Sequence, residues 1–558
     1  MDRPECAFPV AWEDAQDAQA MWVLNETYNL HRMSALDFDL RLSPFAEGRN
    51  GLNEAWGMPF RAEPKLINGF AYQKLVIVGD ATSDPNEVMA QVDGAIRSKG
   101  RELKDAWEER WLPEVHEHLA ALNGFDLAAA DLPQLLDHLV DLERRARRLW
   151  EVHFHVQDPA ILAISDFEEA YRDLFPEEDS LAAYELLAGF QNKTVETNLR
   201  LWELGRAGAR TPALRTTIIE TDPAALQGAL AHSSDGRELW SKIQGFLGVY
   251  GERNDDLYID SPTWCDDPTP VLRGLRKALL EPDRDLEGEL ERQTRHREGR
   301  LAEVRASLKD YPRAARDEFE AVYAAACTGI VLSEDHHFWL DAKLTHHPRR
   351  SGLGLGAKLV ELGLLDRAED VFEFHLKELL ALRDADLAEI DLRPLLAERR
   401  AEAERFVGVK PPPFLGQPQP FPAMESAFMR AGFKYSGNFM GPPGEGSELK
   451  GAPGSRGKFR GPARVIETLD DAGALQAGEI LVAPTTMPSW TPFFATASAL
   501  VTDIGGVLSH AAIVAREYGI PAVVGARGAT ATIKTGQIIE VDGDAGIVRL
   551  SLDSLEGM

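Results

Sequence analysis

The chain has 558 residues, of which 44% are hydrophobic and 27% charged, and its formal net charge is −30 at pH 7. This composition is typical of a globular protein with several domains, and the strongly negative charge argues against nucleic acid as a partner. The sequence shows neither an apolar run long enough to span a membrane nor an N-terminal signal segment, so we expect a cytoplasmic protein with no membrane partner.

The first 408 residues are predicted to form a largely α-helical domain. Segments 119–150, 310–344 and 365–406 repeat apolar residues at spacings of three and four, and they are rich in Ala, Leu, Glu and Arg. One β segment is predicted at 69–79, which is rich in aromatic and β-branched residues.

Two segments rich in glycine or proline are predicted to be irregular. Residues 351–359, SGLGLGAKL, follow a helix and not a strand, so we interpret them as a loop between helices and not as a dinucleotide-binding turn. Residues 409–457 contain KPPPFLGQPQPFP and GPPGEGSELKGAPGSRG around a short segment that could be helical, a composition typical of a linker. Residues 458–555 then alternate short strands and turns around one helix, which predicts a compact α/β domain. The expected fold class is therefore multidomain, with a helical N-terminal domain and a C-terminal α/β domain.

The segment DIGGVLSHAAIVAREYGIPAVVG, residues 503–525, places a histidine at the start of the predicted helix. Gly505 and Gly506 follow a strand and allow a ligand to approach the backbone, and Ser509 is a suitable N-cap. His510 then lies in the first helical turn, where free N–H groups and the positive end of the helix dipole favour a phosphate. A neutral imidazole can attack phosphorus and form a covalent intermediate.

This segment resembles the signature of the mobile domain of phosphoenolpyruvate-utilising enzymes, in which the histidine of G-G-x-x-S-H-A-A-I-V-A-R-E is phosphorylated. The preceding GAPGSRGKFRGPARVI and GEILVAPTTMPSWTPFF are similar to the opening strands of the same domain, so the resemblance covers about residues 451–550. It implies a swivelling domain whose His510 carries a phosphoryl group, with Gly505, Gly506 and Ser509 as phosphate-binding residues. Arg516 belongs to the same motif but lies on roughly the opposite side of the helix. A phosphate contact and an Arg–carboxylate pair that holds the domain together are both left open for it.

The helical region is similar, more weakly, to the substrate domain of rifampicin phosphotransferases and of phenylphosphate-synthase-type enzymes. The similar stretches are LWEVHFHV at 149–156, FLGVYGERNDDLYIDSPTWCDDP at 246–268 and LGLLDRAEDVFEFHLKEL at 362–379. Members of the family take the phosphoryl group from an ATP-grasp domain, and we find no glycine-rich phosphate loop with its Lys and acidic metal ligands in this sequence. The resemblance implies a separate ATP-grasp partner subunit, like the N-terminal part of pyruvate phosphate dikinase. ATP and Mg²⁺ are expected at that partner, and no cofactor is assigned to this chain.

The stretch SEDHHFWLDAKLTHH, residues 333–347, combines polar and aromatic residues on a predicted helix. Glu334, His337 and Asp341 fall on one face of that helix. A pocket for an aromatic alcohol or phenol is predicted here, lined by Glu334, His337, Phe338, Trp339 and Asp341. Glu334 or His337 would act as general base on the acceptor hydroxyl. The alternative interpretation is a solvated polar face.

Other residues near this stretch carry weaker signals. His336 and His347 would stand about 16 Å apart along one helix, so the four histidines do not predict a single metal site, and no metal is expected. Related enzymes often have an Arg-Glu pair here, whereas this chain has Ser333-Glu334, which leaves the role of that Arg unfilled. Arg253, in the YGER turn, is predicted either to bind substrate or to fasten a loop.

The sequence therefore predicts a phosphotransferase subunit. His510 would receive a phosphoryl group at the partner subunit and would pass it to a hydroxyl of a small, aromatic or hydrophobic organic molecule. The family resemblance implies that this group is the β-phosphate of ATP, with release of AMP and phosphate. Two alternatives are kept: phosphoenolpyruvate as the donor, and a phosphocarrier or regulatory protein that is phosphorylated on His510 without an acceptor of its own.

Overall fold

The computed structural model describes residues 8–12, 14–25, 31–78, 84–254, 256–418, 425–437, 446–494 and 496–550. A large helical region precedes a C-terminal region built around a mixed β-sheet, which confirms the predicted fold class. Among the described residues, no helix is both long and apolar enough to cross a membrane.

The helical region contains sixteen described α-helices. They are α1 (Ala35–Asp37), α2 (Ser43–Trp56), α3 (Pro85–Ala106), α4 (Leu112–Asn123), α5 (Leu132–Leu174), α6 (Ala182–Glu185), α7 (Lys193–Gly208), α8 (Pro212–Glu220), α9 (Pro223–Leu230), α10 (Ser234–Tyr250), α11 (Thr269–Leu280), α12 (Leu286–Ser307), α13 (Arg313–His336), α14 (Ala342–Glu361), α15 (Leu376–Ala381) and α16 (Arg393–Arg405). Three π-helical turns, Phe38–Leu42, Trp107–Trp111 and His337–Asp341, join consecutive helices.

Helix α5 is the centre of the helical region. Its 43 residues begin with a capping box, in which the Asp131 side chain accepts from the N–H of Gln134 and the Gln134 side chain accepts from the N–H of Asp131. Helices α2, α3, α13 and α14 pack against it. From Val152 to Ser165 nearly every α5 side chain is buried, because neighbours cover this stretch on all sides.

A four-stranded antiparallel sheet lies beside the helices. Its strands are β1 (Met21–Leu24), β2 (Phe60–Ile67), β3 (Phe70–Ile77) and β4 (Phe414–Gly416), in the order β2-β3-β1-β4. The β segment predicted at 69–79 contains strand β3. Its hairpin with β2 turns at Asn68 and Gly69, which both have positive φ, the conformation that a two-residue hairpin loop requires.

The prediction of a loop at 351–359 is wrong, because these residues lie inside helix α14. The glycines serve close packing and not a turn. A Cβ at Gly352 would come within 2.9 Å of the Phe372 ring, and one at Gly356 within 2.0 Å of the Ala368 carbonyl oxygen. Likewise, the predicted helical segment 119–150 is two helices, because α4 ends at Asn123 and α5 begins only at Leu132.

The segment predicted as a linker, 409–457, contains ordered pieces. Strand β4 extends the helical region's sheet, and the short segment with helical potential is α17 (Ala427–Ser436), which packs against α5. Strands β5 (Glu448–Lys450) and β6 (Ala452–Ser455) belong to the C-terminal sheet. Strand β6 carries its proline and glycine at the edge of that sheet, where a missing N–H is tolerated.

The C-terminal region is an eight-stranded sheet flanked by short helices. Its remaining elements are β7 (Lys458–Val465), β8 (Ile480–Ala483), α18 (Thr491–Phe494), β9 (Ala499–Thr502), α19 (His510–Tyr518), β10 (Ala522–Val524), α20 (Ala529–Thr532), β11 (Ile538–Asp542) and β12 (Ile547–Leu550). The strand order is β5-β12-β11-β7-β8-β9-β10-β6, and β7, β8, β9 and β10 run parallel. Helix α19 is thus held after the carboxyl end of β9, beside the parallel part of the sheet.

Candidate active site between the helical region and the sheet

His510 is the first residue of helix α19, as the sequence predicts. The Ser509 side chain caps the helix by accepting a 3.5 Å hydrogen bond from the N–H of Ala512, and Gly519 ends the helix with a φ of 63°. This geometry turns the imidazole away from the sheet and into the contact with the helical region.

Glu334 of helix α13 meets His510 across the contact. The Nδ1 atom of His510 lies 3.1 Å from Oε2 of Glu334, and Thr194 Oγ1 donates a 2.8 Å hydrogen bond to the same oxygen. His510 is 8% exposed and Glu334 is 2% exposed. Among the described residues, Nε2 of His510 is buried and has no hydrogen-bond partner. Because a neutral imidazole carries one proton, Nδ1–H donates to Glu334 and Nε2 keeps its lone pair.

Glu334 is ionised, which suits it to accept the hydrogen bond from Nδ1 of His510. Burial raises the pKa of the carboxyl, but the electrostatic interaction and hydrogen bond with His510, the electrostatic interaction with His337 and the hydrogen bond from Thr194 together lower it by more, so the pKa lies below its ordinary value. Glu334 is therefore an ionised acceptor, which fixes the tautomer and the orientation of His510.

A second histidine–carboxylate pair lies next to the first. Within the π-helical turn 337–341, Nδ1 of His337 forms a short hydrogen bond with Oδ2 of Asp341. Burial lowers the pKa of His337, but Asp341 raises it more, and the result is a pKa above the ordinary value. Burial raises the pKa of Asp341, while His153 and His337 lower it well below its ordinary range. The structure thus brings together Glu334, His337 and Asp341, which the sequence predicts on one helix face.

Sequence reasoning missed His153, which lies on α5 within the stretch 149–156. Its Nδ1 atom is 2.8 Å from Oδ1 of Asp341. One potential ligand atom from each of His153, His336 and Asp341 lies within 4.8 Å of the others, and all three residues are buried. These are the described residues best placed to hold a metal ion. The only sequence signal for His153 was its position in a stretch similar to the relatives.

His510 lines a small cavity that adjoins a larger one of about 320 Å³. His337, Tyr435 and Ser436 line both. The larger cavity reaches into the helical region and has aromatic walls, formed by Phe45, Trp150, Phe154, Phe414, Phe428 and Tyr435. Its volume and apolar lining are typical of a site for an organic ligand. These aromatic residues come from α2, α5, β4 and α17, so no single segment of the sequence predicts the cavity.

Charged residues also line the larger cavity. Arg49 forms an ion pair with the buried Asp158, and its guanidinium lies 4.7 Å from the Phe154 ring centre and 5.4 Å from that of Phe428. Arg41 is likewise paired with Asp37. The cavity is therefore mainly apolar, with a few fixed charges at its wall.

The predicted pocket residues Arg253, Phe338 and Trp339 occupy different surroundings. Arg253 and Phe338 line a third, small cavity, together with Glu334, His337 and Asp341. The Arg253 guanidinium lies 5.6 Å from the Phe338 ring centre, and burial lowers its pKa to about 10. Trp339 instead packs edge-on against Phe338 and against His116, within the core of the helical region.

The Gly505–Gly506 turn, predicted to bind phosphate, contacts the carboxyl end of α17 in this arrangement. The N–H of Gly506 donates a 3.0 Å hydrogen bond to the Tyr435 carbonyl, and the N–H of Leu508 donates one of 2.8 Å to the Lys434 carbonyl. A Cβ at Gly506 would lie 2.2 Å from that Lys434 oxygen, which explains the need for glycine. The role of these glycines toward phosphate stays a prediction.

Arg516 bonds to backbone and not to a carboxylate in the described structure. Its guanidinium donates to the carbonyls of Gly454 and Val507 at 2.8 and 2.9 Å and lies 4.7 Å from the Tyr184 ring centre. The neighbouring Glu517 accepts from the N–H of Gly189 of the helical region at 3.1 Å. Both residues therefore join structural elements, and the phosphate contact considered for Arg516 stays a prediction.

Comparison with known proteins identifies two segments. Residues 475–546 match the family described as PEP-utilising enzyme, mobile domain, and residues 159–334 match the family described as rifampicin phosphotransferase fourth domain. The first segment contains His510 and the second ends at Glu334. The contact between the His510 imidazole and the Glu334 carboxylate therefore joins one matched segment to the other.

Similarity to curated proteins extends over more of the chain than these two segments. The chain is 42% identical over 97% of its length to 14% of the chondramide synthase of Chondromyces crocatus. It is 30% identical over 71% of its length to 47% of the uncharacterized phosphotransferase YvkC of Bacillus subtilis, and 30% identical over 64% of its length to 40% of the rifampicin phosphotransferase of Streptomyces sviceus. The chain thus spans less than half the length of these relatives. Neither matched family is an ATP-grasp domain. The chain combines a segment that matches the PEP-utilising enzyme mobile domain with one that matches the rifampicin phosphotransferase fourth domain, and it is similar to proteins named as rifampicin phosphotransferases.

Proposed function

We propose that the chain is a phosphotransferase subunit in which His510 carries a phosphoryl group on Nε2 and delivers it to a hydroxyl of a small organic acceptor bound in the aromatic-walled cavity. One observation carries the proposal. Nε2 of His510 is buried without a hydrogen-bond partner among the described residues, and its cavity shares three lining residues with the large one. The relatives named as phosphotransferases support the same class of reaction.

In the docked arrangement the acceptor oxygen would attack the phosphorus held on Nε2. The O–P bond forms, the N–P bond breaks, and the electron pair returns to Nε2. The leaving imidazole needs no added proton, because Nδ1–H stays on the ring and donates to Glu334. Glu334 is thus a positioning residue for His510.

His337 is the proposed general base for the acceptor hydroxyl. Its Nδ1 donates to Asp341, which leaves the lone pair of Nε2 for the proton that the acceptor loses. His337 lines all three cavities described above, whereas the Glu334 carboxylate is already occupied by His510 and Thr194. This geometry favours His337 over Glu334, the other candidate from the sequence.

Arg253 is the proposed electrostatic partner of the phosphoryl group. It is 7% exposed, shares a cavity with Glu334 and His337, and has no ion pair within the part of the chain that the structure describes. A buried guanidinium without a carboxylate partner is costly to keep unless an anion meets it in function. Its pKa of about 10 keeps it charged at neutral pH.

The donor is proposed to be a separate ATP-grasp subunit that binds ATP and Mg²⁺, as the resemblance to phosphoenolpyruvate-utilising enzymes implies. The acceptor is proposed to be an aromatic or hydrophobic molecule with a hydroxyl group, since aromatic side chains form most of the cavity wall.

The test is the intact mass of the purified chain after incubation with ATP and Mg²⁺, with and without an ATP-grasp subunit from the same organism. We expect an acid-labile gain of one phosphoryl group that requires the partner and is absent in His510→Ala. Phenols and hydrophobic alcohols are then added to the phosphorylated chain. Loss of the phosphoryl group with formation of a phosphate ester supports an enzyme with its own acceptor, and a phosphorylated chain that no hydroxyl compound discharges supports a phosphocarrier instead.

A further inference from the structure

A buried cluster beside the acceptor cavity has the composition of a metal centre. His153 of α5, His336 at the end of α13 and Asp341 in the following turn are 3%, 0% and 4% exposed. One potential ligand atom from each lies within 4.8 Å of the other two. The phosphoryl transfer proposed above uses Asp341 only through its Oδ2 atom and uses neither His153 nor His336.

The hydrogen bonds of the two imidazoles place lone pairs inside the cluster. Nδ1 of His336 is 2.8 Å from the Leu332 carbonyl oxygen, which can only accept, so the proton is on Nδ1 and Nε2 holds a lone pair. Nε2 of His153 is 3.1 Å from Oε1 of Gln157, and in the tautomer that donates this hydrogen bond Nδ1 holds a lone pair. That Nδ1 atom faces the Oδ1 atom of Asp341 at 2.8 Å.

In these tautomers the three inward atoms make no hydrogen bond with any described residue, and Nδ1 of His153 and Oδ1 of Asp341 would form an ion pair only if His153 took up a second proton. His153 Nδ1, His336 Nε2 and Asp341 Oδ1 are each buried without a hydrogen-bond partner among the described residues. Unsatisfied buried acceptors are costly, and three that converge on one point repel one another. A second proton on His153 would satisfy two of them and would leave Nε2 of His336 without a partner. A bound cation satisfies all three.

We propose that His153 Nδ1, His336 Nε2 and Asp341 Oδ1 bind one divalent transition-metal ion. Two imidazole nitrogens and one carboxylate oxygen suit Zn²⁺, Fe²⁺ or Co²⁺ and not Mg²⁺. The outer hydrogen bonds to Leu332 and Gln157 are those that orient metal-ligating imidazoles. The site escapes sequence analysis because α5 supplies one ligand from about 180 residues away from the other two.

Three protein ligands leave at least one coordination position open, as in catalytic zinc sites. His153 and Asp341 both line the large cavity, so the open position would face the bound acceptor. There the ion would bind the acceptor hydroxyl and lower its pKa, a role that rests on the proposed function. Metal binding itself does not depend on that role.

The experiment uses the full chain after EDTA treatment and dialysis, without ATP, partner or acceptor. Zn²⁺ is titrated by calorimetry, Co²⁺ is followed by its visible ligand-field absorption, and bound metal is counted by mass spectrometry of the elements. We expect one ion per chain, and an affinity at least about 100-fold lower in His336→Gln. His347→Gln is the matched control, because His347 is also buried on the following helix and also has an unpartnered Nε2. It should bind like the wild type.

Two results would overturn the proposal: no stoichiometric binding by the wild-type chain, or binding that His336→Gln leaves unchanged, which would indicate an adventitious ion only. Thermal unfolding shows whether His336→Gln is folded. If it is not, X-ray absorption of the wild-type zinc complex decides, since scattering from two imidazoles supports the site and its absence contradicts it. Because no step needs phosphorylation, failure here is distinguishable from failure of the proposed function.

Discussion

Acid should favour the docked arrangement of the mobile domain, and Glu517 should be the cause. Its carboxylate lies at the contact between the two regions and accepts the N–H of Gly189 at 3.1 Å. Burial raises its pKa from 4.5 to about 7; the hydrogen bond from Gly189 and the charges of Arg516 and Arg297 act against this, and Glu334 adds to it. In the undocked domain the side chain faces water, so we take its pKa there as the ordinary value.

The sign follows from proton linkage. A carboxyl whose pKa is higher in the docked state takes up a proton on docking, so the contribution of Glu517 to docking is largest below about pH 4.5 and is lost as the pH rises to about 7. The full difference is up to about 3 kcal/mol, or a few hundred-fold in the docking equilibrium. Above pH 7 the dependence on this group ends, because Glu517 is then ionised in both states.

The assay measures energy transfer between dyes at positions 309 and 534, which are exposed lysines on the helical region and on the mobile domain. We expect the docked fraction of the wild type to fall between pH 5 and about pH 7. The docked fraction of Glu517→Gln should depend less on pH, because this variant lacks the contribution of up to about 3 kcal/mol from Glu517. Glu467→Gln changes an exposed glutamate of the same domain and should behave like the wild type. Equal pH dependence in the wild type and in Glu517→Gln would refute the reasoning.

Three further predictions concern single substitutions. Gly506→Ala should weaken docking by roughly 1–3 kcal/mol, because its Cβ would meet the Lys434 carbonyl at 2.2 Å, whereas Gly473→Ala has open space and should not; the same energy-transfer assay checks both. Phe154→Ala should lower the free energy of unfolding by about 3–5 kcal/mol and raise the acceptor KM, while the phosphoryl gain on the chain in the intact-mass assay stays that of the wild type. Glu334→Gln should leave phosphorylation at the donor intact and slow transfer to the acceptor by roughly 100-fold or more in single-turnover kinetics, since the tautomer of the carrier histidine is no longer fixed; an unchanged rate would contradict the positioning role.

Local features of the sequence predicted the helix that begins at His510 well. The cap at Ser509, the helix from His510 and the C-terminal glycine are decided by neighbouring residues, so they can be derived from the chain order. The face shared by Glu334, His337 and Asp341 follows in the same way from helical spacing, although the π-helical turn shifts its phase.

The large aromatic-walled cavity could not be predicted in this way. The cavity wall combines α2, α5, β4 and α17, whose proximity is fixed by tertiary packing and not by any local pattern. The glycines of 351–359 show the same limit. A glycine that permits a turn and one that permits close helix packing look identical in the sequence, and only the approach of Phe372 and Ala368 to α14 separates them.

Under the proposed function, the contacts that hold the mobile domain in place imply that it leaves for each turnover. With the domain docked, Gly506 donates its N–H to α17 and His510 is 8% exposed, so a separate donor subunit has no access to Nε2. Docking must therefore be reversible on the time scale of catalysis, and its free energy must stay small. The contact contains two ionisable groups whose burial is unfavourable and therefore limits the docking free energy. Burial lowers the pKa of Arg516 to about 10 and raises the pKa of Glu517 to about 7. Replacing such groups by apolar ones should strengthen docking and slow phosphorylation by the partner, because the carrier would then spend less time at the donor site.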